Sequence, residues 1–190
     1  MRAAKIVLLT LVVVVVVAVL GVWIFLKQGL SARAEPLRLE EQVARFARGF
    51  ATPAEARAME TPYPPTPESI SAAKEHYVEH CAVCHALNGS GDTVFGRNMY
   101  PRVPDLRSPE TQSLTDGELH YIIGEGVRFT GMPAFAGEES SEEIWELVPF
   151  LRRLPHLSEE ELREVEELAE GDPDSSREPL ELPHAHGTSR

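Results

Sequence analysis

The sequence predicts an all-α chain: one N-terminal membrane-crossing helix followed by a small, loop-rich helical domain. Three observations predict it. Ile6 to Leu26 runs 21 residues without a charge. Thr115-x-x-Glu118 and Ser140-x-x-Glu143 are capping boxes, each opening an apolar run at helical spacing. No segment alternates convincingly with period two, so nothing reads as a sheet.

The elements follow in order. A helix made of residues 6–26 is long enough to cross a hydrocarbon core of about 30 Å. A cleaved leader has a shorter apolar region, so a retained anchor is expected, although Ala32-Arg33-Ala34 offers a cleavage site. Basic residues flank both ends, and the positive-inside rule does not orient the span. In residues 36–50, Leu39, Val43, Phe46 and Phe50 form one apolar stripe beside Arg38, Arg45 and Arg48. Such a helix suits either an anionic membrane surface or a face of the folded domain. TPYPPTP, residues 61–67, has four prolines in seven positions and reads as a stiff linker and domain boundary.

The folded domain is expected over residues 68–155. Thr66 is the candidate N-cap of its first helix, with Pro67 at the first helical position. Ile70, Ala73, Tyr77 and Cys81 share one face of it. Residues 86–113 are rich in Gly, Pro, Asn and Asp and read as loop. Leu119, Ile122 and Ile123 follow the first capping box; Ile144, Leu147, Val148 and Leu151 follow the second. Pro149 should bend that last helix. After Ser158 comes an acidic helix with Leu162, Val165 and Leu168 on one side. From Glu170 the chain is polar and is expected to be disordered. His184 and His186 there could take a metal ion, but two histidines on a tail make a weak site.

The formal net charge is −12: +3 over residues 1–67, −7 over 68–155 and −8 over 156–190. An acidic domain argues against nucleic-acid binding, which needs clustered Lys and Arg. It suits a partner with a basic docking face.

The two cysteines of the chain stand in HCAVCH, with His85 directly after Cys84. C-x-x-C-H is the attachment signature of c-type haem. Cys81 and Cys84 would form thioethers, and His85 would ligate the iron. A covalent apolar group would also fill a core that three short helices leave poorly filled. A structural zinc site would need a second ligand pair; His76 and His80 could be recruited, but no second C-x-x-C exists. A thioredoxin-like pair would need a preceding strand, and a Cys81–Cys84 disulfide would strain a helix.

The sixth iron position decides between electron transfer and ligand binding. Met99 lies 14 residues past His85, a short path from one haem face to the other. Met132 lies 47 past, in FTGMPAF, where Gly131 permits close approach and Pro133 fixes the chain. His120 is the bis-histidine alternative, without comparable loop chemistry.

YVEHCAVCH, PRVPDL, LTDGELHYIIGEGVRFTGMPAF and SEEIWELVPFLRRL together resemble the class I c-type cytochromes, in particular small bacterial membrane-anchored single-haem members. The resemblance covers about residues 68–155. It implies one covalent haem c, Cys81 and Cys84 as thioether sites, His85 as proximal and Met132 as distal ligand. It also implies that a proline carbonyl in the PRVPDL loop orients His85, and Pro104 and Pro101 both fit. The first and last helices should cross, with Ala73 and Tyr77 against Leu147 and Phe150. The family usually has glycine where this chain has Ala73, and commonly where it has Ala86. Leu106, Leu119, Ile122, Ile123 and Phe135 are candidates for the apolar haem wall, and Arg97 and Arg102 for the propionates.

The resemblance further implies a domain on the outer, periplasmic face of the bacterial cytoplasmic membrane, with residues 1–5 in the cytoplasm, 6–26 in the bilayer, 27–67 as helix and linker, and 156–190 as acidic helix and tail. The expected function is a non-enzymatic shuttle of single electrons between membrane or periplasmic redox proteins. The alternatives are a haem subunit of a larger oxidoreductase and a protein binding gas or peroxide at an open iron.

Overall fold

The structure is a computed structural model that describes residues 2–28 and 31–171. His184 and His186 lie outside the described residues. The chain divides after Ala34 into two compact units.

The first unit is α1, Arg2–Gln28. Its Ala4–Lys27 stretch contains an 18-residue window with a mean hydropathy of 3.2, none of it buried within the protein. Twenty-four residues span about 36 Å at helical rise. By length and composition the helix can cross a bilayer. Thr10 returns its hydroxyl to the Ile6 carbonyl at 3.0 Å, which satisfies the one polar side chain in the apolar run.

The second unit is helical, and no strand occurs among the described residues; an isolated bridge joins Ala136 and Glu139. In order it contains α2 (Arg38–Ala51), α3 (Ala54–Arg57), α4 (Pro67–His76), a π-turn (Tyr77–Cys81), α5 (Ala82–His85), α6 (Val94–Arg97), α7 (Pro109–Gln112), α8 (Asp116–Glu125), α9 (Ser141–Arg153), a 3-10 turn (Leu154–His156) and α10 (Glu159–Gly171). The caps explain the starts. Thr66 accepts from the Ser69 N–H at 3.1 Å, Thr115 from the Glu118 N–H at 3.1 Å and Ser140 from the Glu143 N–H at 3.2 Å. In each case the N3 side chain returns to the N-cap backbone, so two orphan donors are satisfied per helix.

The core forms where α4 and the π-turn pack on α9. Ala73, Tyr77, Leu147 and Phe150 are all fully buried. The Tyr77 and Phe150 rings meet edge to face, 5.2 Å apart at 65°. Although Pro149 lacks a donor, α9 runs through it to Arg153. Arg152 then ties α9 to the start of α8. Its Nε donates to Asp116 at 3.0 Å, Nη1 to the Gln112 carbonyl at 2.7 Å and Nη2 to the Leu114 carbonyl at 2.5 Å.

Two features mark the ends of the domain. TPYPPTP is not the boundary between compact units; that lies at Ala34. The reason is α3. Ala56 is buried, and its carbonyl sits so close to Gly117 that a Cβ there would collide with it. Thr115 Oγ1 also donates to the Arg57 carbonyl at 3.0 Å. The segment before the prolines therefore docks on α8. At the other end, α10 rests on the domain: Val165 is fully buried and Glu164 pairs with Lys74. By contrast, α2 buries no residue, and Leu39, Val43, Phe46 and Phe50 stand exposed along it.

Candidate haem site

Tyr77–Cys81 forms a π-turn inside an otherwise α-helical run, a local widening that often accompanies a functional site. Cys81 ends that turn, and Cys84 and His85 lie on α5. Both thiols are free and half-buried. The chain then reverses at Ala86, which sits at φ +62°. Gly91 N–H donates to the His85 carbonyl at 2.8 Å, and Thr93 Oγ1 to the Cys84 carbonyl at 3.2 Å. Further on, Leu106 N–H reaches the Gly89 carbonyl at 2.8 Å. These bonds fold the PRVPDL loop back beside the motif. A Cβ on Gly91 would stand 2.7 Å from the Val103 carbonyl, so this approach requires glycine.

The electrostatics suit the three residues to haem. Burial pushes the Cys81 thiol up to about 12, with Glu139 and Cys84 adding to it, and burial also raises Cys84. Both side chains therefore stay neutral thiols. Burial lowers the His85 pKa, opposed by the Pro104 carbonyl. The imidazole is neutral, the form that ligates a metal. Its Nδ1 is fully buried and faces the Pro104 carbonyl. A proton held at Nδ1 leaves Nε2 as the donor atom. A neutral imidazole with Nε2 as its donor atom, and two unpaired thiols beside it, are the residue set that a covalently attached haem requires.

The FTGMPAF loop is built by its own bonds. Thr130 Oγ1 accepts from the Met132 N–H at 3.1 Å and donates to the Val127 carbonyl at 2.7 Å; Val127 N–H returns to the Met132 carbonyl at 3.2 Å. Gly126, at φ +66°, lies so close to Pro133 that a Cβ would meet its carbonyl carbon at 2.5 Å. Met132 packs half-buried against the main core together with Cys81 and Phe135, and Leu106 and Ile123 are buried members of that cluster.

A family model described as "Cytochrome C oxidase, cbb3-type, subunit III" matches residues 68–151. Over this segment the chain is similar to that c-type cytochrome family. One solved structure with similarity to this chain is the Kuenenia stuttgartiensis reducing HAO-like protein complex Kustc0457/Kustc0458, at 26% identity and a TM-score of 0.46. The match covers 49% of this chain and 46% of that one, so this chain spans about half the length of its neighbour. No curated protein matches.

Within the folded domain the other sequence candidates fall into distinct places. Ile122 is half-buried on α8, next to the buried Ile123. Leu119 packs with Trp145 and Val148 in a second cluster, apart from the one that holds Met132. Arg97 pairs with Asp92, and Arg102 with Glu35 at 3.2 Å, so both already have a carboxylate partner. Pro101 follows a cis peptide bond and is exposed. His120 stacks on Trp145, 4.2 Å between centroids, and its Nε2 meets Ser141 Oγ at 3.2 Å. Sequence separation argues against Met99, yet the structure brings it to the distal loop: a Cβ on Gly131 would lie 2.5 Å from Met99 Sδ. No local sequence signal reports that proximity.

Proposed function

We propose that this chain is a membrane-tethered, single-haem electron carrier, with Cys81 and Cys84 as thioether sites, His85 and Met132 as axial ligands, and the domain at the outer face of the bacterial membrane. The observation that carries the reading is the shared environment of Cys81 and Met132. Both pack against one core cluster, while His85 turns its buried Nδ1 toward Pro104. Bound haem c supplies a one-electron ferrous–ferric couple. The side chains hold and tune it: the Pro104 carbonyl keeps a proton on Nδ1, and Leu106, Ile123 and Phe135 exclude water. Met132 would hold the iron through its thioether sulfur, which would disfavour exogenous ligands there.

Tethering is supported by α1, and by α2, whose exposed Leu39, Val43, Phe46 and Phe50 stand beside Arg38 and Arg45 as on a helix lying in an anionic interface. A tether raises the effective concentration of the carrier near membrane partners. The outer-face placement rests on the resemblance to cytochromes that receive haem there. Residues 35–60 belong to the same compact unit as the domain, so any swing of the head pivots ahead of Glu35. The second reading, a subunit held within a larger oxidoreductase, is favoured by the description of the matching family, which names an oxidase subunit.

The test is the spectrum of detergent-purified, matured protein. Ferric protein should show the weak red absorbance of sulfur on iron. M132A should lose it and bind carbon monoxide when reduced, and M99A should keep it. A red band lost in M99A and kept in M132A would overturn the ligand assignment. Protease added to spheroplasts should release the haem domain; protection there would overturn the orientation. Co-purification of the wild-type chain with stoichiometric oxidase partners would select the second reading.

A further inference from the structure

We propose that His76, His80 and Glu139 form a divalent transition-metal site, best suited to zinc, beside the haem-attachment motif. His76 ends α4 and His80 lies in the π-turn, four residues on, so both imidazoles leave the same side of the helix. Their rings sit edge to face with centroids 5.0 Å apart. Glu139 comes from the turn before α9, where its N–H is held by the Phe135 carbonyl at 2.9 Å. Its Oε1 lies 3.5 Å from His76 Nε2 and 3.6 Å from His80 Nε2. All three donor atoms fall within 4.8 Å of one another.

Those separations match a coordination shell. Tetrahedral ligands at zinc distances of about 2.0–2.1 Å lie about 3.3 Å from each other. A slight contraction around an ion would bring these atoms into place. Two imidazoles and a carboxylate are also a zinc donor set that leaves one position for water.

The two inner groups are poorly satisfied without an ion. His76 Nε2 is fully buried and has no hydrogen-bond partner. Glu139 is only 15% exposed, and among the described residues no Lys or Arg pairs with it. A nearly buried carboxylate facing two imidazole nitrogens calls for a cation between them. His80 is 43% exposed, which gives an ion a way in. The ion would cross-link the first helix of the domain to the segment joining the distal loop to α9.

The test uses full-length, haem-loaded protein carrying H184Q and H186Q, so that the tail histidines do not contribute and the cysteines are capped as thioethers. Zinc binding is read by equilibrium dialysis in a chelator-buffered series, with the haem spectrum recorded separately. One zinc per chain is expected, with a raised thermal midpoint. H80Q and E139Q should each weaken binding at least tenfold and leave the haem spectrum unchanged. No zinc retained by the parent, or affinity in both variants equal to the parent's, would overturn the site. His80 is largely exposed, so H80Q remains informative if H76Q fails to fold.

Discussion

Tyr77 Oη donates a 2.7 Å hydrogen bond to the carbonyl of Ala86, directly after the C-x-x-C-H motif. The tyrosine is fully buried, and Ala86 holds the reversal at φ +62°. The bond thus pins a conformation that an L-residue with a Cβ adopts reluctantly. Y77F keeps the packing and strands the carbonyl, so it should cost about 1–2 kcal/mol. A86G removes the strain and should stabilise by up to about 1 kcal/mol, offset in part by the freer unfolded chain. Guanidinium denaturation of the haem-loaded protein reads both; equal effects of the same sign would contradict the arrangement.

Two glycines in the distal segment should respond unequally. A Cβ at Gly126 would strike the backbone of Pro133 and force a residue at φ +66°. G126A should cost about 2 kcal/mol or more. At Gly131 the obstacle is the end of Met99, a flexible side chain that can move. G131A should stay within about 1 kcal/mol of wild type and shift the red band instead. Thermal melts and ferric spectra of the two variants check the contrast.

Arg152 closes the junction of α8 and α9 with four hydrogen bonds, two of them to backbone carbonyls. R152A should lose about 2–3 kcal/mol, because two charged contacts to one Asp116 oxygen disappear and carbonyls lose their donor. R152K restores one bond at most and should recover less than half. Urea titration of the three proteins provides the measurement.

Acid should weaken the fold through its caps. Glu143 and Glu161 are held below the usual carboxylate range, first by the Ser140 and Ser158 backbone N–H groups respectively. Asp105 is lowered by its bonds to Arg107. A folded pKa below the unfolded one contributes stability that is present above the unfolded value and lost as pH falls through the folded value. The thermal midpoint should therefore drop from about pH 4.5 downward. E143Q/E161Q should melt earlier than wild type near neutral pH and lose less between about pH 6 and pH 3.5. Parallel pH profiles would remove the caps as the source.

What is legible in the sequence is local. Thr66, Thr115, Ser140 and Ser158 announce helix starts within four residues, and C-x-x-C-H announces its own chemistry. The crossing of Ala73 and Tyr77 on Leu147 and Phe150 follows from apolar spacing joined to the family resemblance. What escapes depends on contacts between distant segments. The dock of Ala56 on Gly117, the approach of Met99 to Gly131, and Glu139 facing His76 and His80 have no four-residue signature. The π-turn escapes too, since a single extra residue per turn leaves the apolar stripe almost unchanged. The prolines of TPYPPTP read as a border because stiffness and separation look alike in one dimension.

The burial of Ala56 ahead of the recognisable stretch, and of Val165 beyond it, means that the heritable module and the folding unit are different objects. Excising residues 68–151 would lay bare the floor under Lys74 and leave the flank of α8 without its cover. Anyone transplanting this domain onto another carrier should cut no later than Glu35 and no earlier than Gly171.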